Sequence, residues 1–216
     1  EWDLDGAATR QSAVSSFGFS GTNAHIVIGE HLPPAEARPP VTVVTQDTKM
    51  IVPLSARKPK QLKQKARDLL DFIRKEAPST DLIEIAYTLQ VGREAMDERV
   101  GFLVSSVVQL AEGLEAYLED QEDIKDFHQG QVKRGKESIG IISEDDEVKE
   151  AIVEKWIAQK KLPKLLDLWT KGLDLDWNRL YGEAKPRRIS LPGYPFARER
   201  YWIDIAVEGT ASEAPS

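Results

Sequence analysis

The chain has 216 residues, is 41% apolar and 30% charged, and carries a net charge of −7. That is enough sequence for one large or two small soluble domains, without the basic face that a phosphate backbone demands. It contains no cysteine and only three scattered histidines, His25, His31 and His128, so disulfides, thiolate sites and metal-ligand spacing are excluded. No apolar run approaches the ~20 residues of a membrane helix, and no signal-peptide pattern opens the chain. The expectation is a cytoplasmic protein with no metal, no nucleic acid and no membrane among its partners.

In chain order, Ser12–Phe17 and Ala24–Ile28 read as strands flanking Gly18 and Gly21, glycines that permit the positive φ of a sharp turn. Residues 31–48 hold Pro33, Pro34, Pro39 and Pro40, which remove donors and favour extended chain, so a linker and a domain boundary fall here. Met50–Ala56 is a short apolar strand. Pro59 suits the first position of a helix, and Leu62, Ala66, Leu69, Leu70 and Ile73 recur on one helical face. A second helix is expected from Asp81, with Glu84 as its capping-box partner, burying Leu82, Ile85, Ala86 and Leu89 and stopping at Gly92. Arg99–Ser105 alternates as a strand, and Leu110, Leu114, Tyr117 and Leu118 mark a third helix.

Beyond Asp123, Phe127–Val132 reads as an edge strand and Ser138–Ile142 as a second short candidate. Helical patterns return at Val148, Ile152 and Trp156, then at Leu162, Leu165, Leu166 and Trp169, closed by Gly172. Asp176 is placed to cap a short helix carrying Trp177, Leu180 and Tyr181. Beyond Pro186 two prolines within an aromatic-rich run favour an extended strap over 186–204, and 205–216 reads as a loose tail. The fold expected is α/β (α+β). A small three-stranded sheet carries helices on one face, with strands at Met50–Ala56 and Arg99–Ser105 central. A small helical segment and an extended return strap follow.

Three stretches carry a family resemblance. Ser-Ser-Phe-Gly-Phe-Ser-Gly-Thr-Asn-Ala-His-Ile at 15–26 resembles the closing stretch of a ketosynthase. Val52–Arg93, with Pro-Leu-Ser-Ala and Tyr-Thr-Leu-Gln-Val-Gly-Arg, is similar to the linker between ketosynthase and acyltransferase in modular polyketide synthases. Asp-Trp-Asn-Arg-Leu-Tyr and Leu-Pro-Gly-Tyr-Pro-Phe-Ala-Arg-Glu-Arg-Tyr-Trp, within 175–202, look like the segment that follows an acyltransferase. Only residues 94–174 separate the second motif from the third, and they hold no Gly-x-Ser-x-Gly elbow. That gap resembles the synthases whose acyltransferase is a separate protein acting in trans.

The resemblance implies six regions. These are 1–30, the C-terminal strands of an incomplete ketosynthase; 31–48, a linker; 49–122, a flanking subdomain; 123–185, a trans-acyltransferase docking segment; 186–204, a return strap; and 205–216, a tail. It implies that His25 occupies a catalytic position of the family, inactive without the cysteine this chain lacks, and that Phe19, Gly21 and Asn23 shape the pocket beside it. It also implies partners: the ketosynthase body, the separate acyltransferase, and acyl carrier proteins whose phosphopantetheine belongs to the parent system, none of it to this fragment. Gly18–Thr22 is read as a turn rather than a hydrolase elbow, since Thr22 stands where a glycine is required. Tyr194, Phe196, Tyr201 and Trp202 are the strap's docking aromatics, set either on a ketosynthase body or on this fragment's own core. Trp156, Trp169 and Trp177 fit core packing, or an acyltransferase contact through one of them. The acidic run Glu144–Glu150 fits a solvated helix start, or steering of a basic partner surface. The function expected is a non-catalytic scaffold. The alternatives are half of a split condensing enzyme or a lateral contact module using the helices after Asp145.

Overall fold

The computed structural model describes residues 9–30, 48–76, 81–132, 146–183 and 185–197. The linker at 31–47, the strand candidate Ser138–Ile142, Tyr201, Trp202 and the tail lie outside the described residues. The chain divides into two compact units, 1–40 and 41–216.

In the first unit, β1 (Gln11–Phe17) and β2 (Asn23–Gly29) pair antiparallel from Gln11↔Gly29 to Phe17↔Asn23. The turn needs both of its glycines. Gly21 sits at φ 87°, and a Cβ on Gly18 would lie 2.6 Å from the Thr22 carbonyl oxygen, to which Gly18 N–H donates at 2.8 Å. At the open end, Glu30 N–H donates to the Arg10 carbonyl at 2.7 Å, and the Glu30 carboxylate accepts from Arg10 N–H at 3.0 Å.

The second unit is a mixed α/β fold built on a three-stranded antiparallel sheet in the order β3-β4-β5. The strands are Met50–Ala56, Glu98–Val104 and Phe127–Gln131. Among the described residues five helices accompany them: α1 (Pro59–Glu76), α2 (Leu82–Val91), α3 (Val107–Leu118), α4 (Asp146–Ala158) and α5 (Leu162–Thr170), with a 3-10 turn at Trp177–Leu180. Strands β3 and β4 are not both central: β4 alone is. Pro53 has no N–H to offer a second neighbour, so β3 belongs at an edge. There α2 packs against it, and Gln90 Nε2 donates to the Ile51 carbonyl at 2.7 Å.

Alternation along the strands sorts the core into two layers. Val52, Leu54, Val100, Phe102 and Val104 meet Leu62, Ala66, Leu69, Leu70 and Ile73 of α1, Ile85, Ala86 and Leu89 of α2, and Leu110, Leu114 and Tyr117 of α3. Ile51 and Leu103, on the opposite face, meet Val153 of α4, Leu165, Leu166 and Trp169 of α5, and Trp177. The helices of the 49–122 region therefore lie on the first face, and the helices that follow cover the second. A border at 122/123 is not a break in this unit, because β5 completes the sheet from beyond it. Helix ends also differ from expectation in one respect. Asp81 is the N-cap of α2 but makes no side-chain cap bond, so no capping box with Glu84 forms; Ser106 does cap α3, accepting from Gln109 N–H at 3.1 Å.

Candidate docking surfaces

Alternation puts Val14, Ile26 and Ile28 on one face of the β1–β2 hairpin, and Ala13, Phe17, His25 and Val27 on the other. Val14, Phe17, Ile26, Val27 and Ile28 are all more than half exposed. A hairpin apolar on both faces has the pattern of strands buried on both sides of a sheet. His25 is exposed near the middle of β2, directly across from Ser15, with Ser15 Oγ and His25 Nδ1 hydrogen-bonded at 2.8 Å. Asn23 shares the histidine's face two residues away. Phe19 stands out from the turn fully exposed, and Gly21 supplies the turn's positive φ. The hairpin thus brings His25 and Asn23 together beside an apolar surface. The sequence has no cysteine, and the hydroxyl beside the imidazole is that of an exposed strand serine.

The described strap residues, 186–197, run over the second unit without regular secondary structure. Leu191 is buried in the first-face core, with Ile189 and Tyr194 packed against it. Four polar contacts hold it. Ile189 N–H donates to Thr88 Oγ1 at 2.9 Å, Arg93 Nη2 donates to the Leu191 and Pro192 carbonyls at 3.0 and 3.3 Å, and Arg57 N–H donates to the Tyr194 hydroxyl at 3.2 Å. Phe196 meets Tyr194 edge to face at 5.0 Å yet remains 80% exposed. Of the docking aromatics within the described residues, one is seated and one is not.

The tryptophans separate in the same way. Trp169 and Trp177 are buried and meet edge to face at 5.9 Å, so as partner-surface candidates they are corrected to core residues of the second face. Trp156 is only partly buried, with Lys164 Nζ 5.4 Å from its ring. The described part of the acidic run has a structural task nearby, because Arg179 reaches from the 3-10 turn to Glu150 at 2.9 Å and to Glu154 at 2.7 Å on α4.

Two buried cations escaped sequence reading. Arg99 of β4 donates through Nη1 to the carbonyls of Trp169 (2.7 Å) and Leu173 (3.2 Å) and through Nε to Met96 (2.8 Å), with its guanidinium 5.0 Å from the Trp169 ring centroid. Burial lowers its pKa from the ordinary value, and Asp174 at 3.6 Å opposes that shift. The signal was present: Arg99 alternates with Val100 in a strand covered on both faces. Lys65 of α1 is also buried, its Nζ donating to the Ser55 carbonyl at 3.1 Å. Among the described residues there is no cluster able to hold a metal ion and no helix long and apolar enough to cross a membrane.

Comparison with known proteins matches residues 53–121 to the family "RhiE-like, KS-MAT linker domain". The polyketide synthases PksN and PksL of Bacillus subtilis strain 168 are 42% and 46% identical over 94% and 91% of this chain. The chain spans only 4% of the length of either. Among solved structures, a ketosynthase from module 6 of the Bacillus subtilis bacillaene synthase is 44% identical over 94% of this chain and 33% of its own, with a TM-score of 0.69. A module 1 ketosynthase of the bacillaene synthase from Bacillus amyloliquefaciens is 39% identical over 91% of this chain and 32% of its own, with a TM-score of 0.66.

Proposed function

Because residues 53–121 belong to the RhiE-like KS–MAT linkers and the chain as a whole to polyketide synthase sequence, we propose that it is a non-catalytic scaffold. It sets a separate, trans-acting acyltransferase and neighbouring domains around a cytoplasmic ketosynthase. The observation that carries this reading is the hairpin, with apolar side chains exposed on both faces and an imidazole that has no thiolate to serve. Such a surface asks for a covering protein, and the ketosynthase body is the covering that its sequence fits. Trp156 and its surroundings on α4 and α5 supply the acyltransferase contact. Carrier-borne phosphopantetheine belongs to the parent assembly; the chain itself holds no cofactor.

Titration of the chain with the acyltransferase that serves the same synthase tests the docking half of the proposal. Saturable binding weakened by Trp156→Ala is expected, and absence of binding at any attainable concentration sinks it. Incubation with a malonyl thioester should leave the mass of the chain unchanged, since the sequence holds neither a cysteine nor a Gly-x-Ser-x-Gly elbow; a stoichiometric adduct overturns the non-catalytic assignment. A second reading, half of a split condensing enzyme, draws on the preorganised Ser15–His25 pair. It requires condensing activity to appear when a ketosynthase body bearing the cysteine and second histidine is added.

A further inference from the structure

Arg93 lies in the turn after α2, where the strap crosses. Its Nη1 donates to the Gly92 carbonyl at 3.0 Å and its Nη2 to the strap carbonyls of Leu191 and Pro192, while its Nε is buried with no partner. The buried Lys65 faces the same turn from α1. Ser55 joins them: its carbonyl accepts from Lys65 Nζ, and its hydroxyl donates to the Glu94 carbonyl at 3.2 Å and accepts from Met96 N–H at 3.0 Å. Among the described residues neither cation is ion-paired. Burial, then the charge of Arg93, lowers the Lys65 ammonium to about 8.

We infer that Arg93 is a releasable latch for the strap, and that Lys65 opposes its closure. A guanidinium is always charged and has only donors to offer. Packed inward it meets another cation; swung outward it gains water and loses the strap. The two carbonyls of 191 and 192 offset that repulsion while the strap is seated, so seating and the inward conformer of Arg93 are thermodynamically linked. Main-chain carbonyls give hold without side-chain specificity, and Leu191 in the core sets the register. Among the described residues the last hydrogen bond to the strap falls at Tyr194, and Phe196 stands outward. Arg93 is a positioning residue for the strap. The inference rests on reading 186–204 as a return strap and does not require that an acyltransferase binds.

Hydrogen exchange of the full chain, followed by mass spectrometry, separates the latch from general stability. In Arg93→Gln the peptide spanning 186–197 should exchange about tenfold faster, the loss of charge-assisted bonds at one site, with the Leu62–Ile73 segment unchanged. In Lys65→Met the same strap peptide should slow by a larger factor than the Leu62–Ile73 segment, beyond the general gain in stability. Unchanged strap exchange in Arg93→Gln, or no strap-selective slowing in Lys65→Met, overturns the latch. Where Arg93→Gln also loosens α1, Arg93→Lys becomes the arbiter, since it keeps a cation beside Lys65 but loses the forked donors to the strap carbonyls. Strap-selective acceleration there supports the latch, and uniform acceleration rejects it. Acyltransferase titration of the wild-type chain is read separately: its failure removes the scaffold partner and leaves the exchange result intact.

Discussion

Lys65 shows how one side chain sets the pH response of the second unit. Its pKa is about 8 in the fold against an ordinary value of 10.5. Between those values the unfolded chain holds a proton that the folded chain lacks, so stability rises as pH climbs through that window. Below pH 8 the penalty is fully present, on the order of 3 kcal/mol for a shift of this size. Tyr117 acts in the opposite sense. Burial, then Asp120 and Glu98, raises its pKa from 10.0 to about 12, so the folded state keeps a proton that the unfolded state releases, and stability falls through that higher window. Urea midpoints should therefore rise from pH 8 to about 10 and decline above it. Lys65→Met should be more stable at pH 7 by about 1–3 kcal/mol and lose the rising limb. An identical rising limb in both proteins would show that Lys65 is not the group responsible.

At the level of elements, the sequence periodicities carried far in some places and failed in others for definable reasons. The hairpin strands and the buried face of α1 were legible because alternation and 3.6-residue recurrence are local properties. Which strand is central was not, since pairing order is set by partners distant in sequence, although Pro53 in β3 argued for an edge. The second layer was missed as a layer: its helices look like a separate segment until β5 and Gly101 are seen. A Cβ at Gly101 would fall into Leu166 Cδ1, and one at Gly130 would fall into the Thr170 carbonyl oxygen. These two glycines let α5 lie close on the sheet. Gly101→Val should therefore push α5 from the second face and cost about 1–3 kcal/mol by overpacking. Near-ultraviolet circular dichroism, to which the buried pair Trp169 and Trp177 contributes, should change with it. An unaltered spectrum and melting midpoint would mean that α5 accommodates the methyls by sliding.

Across the whole molecule, the contrast between the units decides what the chain can do alone. The second unit has two core layers around one sheet, the arrangement that lets a small domain stand by itself. The hairpin is a two-stranded sheet among the described residues, and a two-stranded hairpin is marginal in water without a hydrophobic face to pack. Its five half-exposed aliphatic and aromatic residues, Val14, Phe17, Ile26, Val27 and Ile28, supply such a face twice over. Covering each gains ~1.5–3 kcal/mol gross, enough to convert a marginal ladder into a fixed one and to hold His25 at a set position. Amides within 11–29 should thus exchange at least about tenfold faster than those of β4 in the isolated chain. Addition of a ketosynthase body lacking its own last strands should slow them, and Val14→Asp with Ile26→Asp should abolish the slowing. Protection in the isolated hairpin equal to that of β4 would mean that the two strands need no partner, and would leave the scaffold without the surface on which it was built.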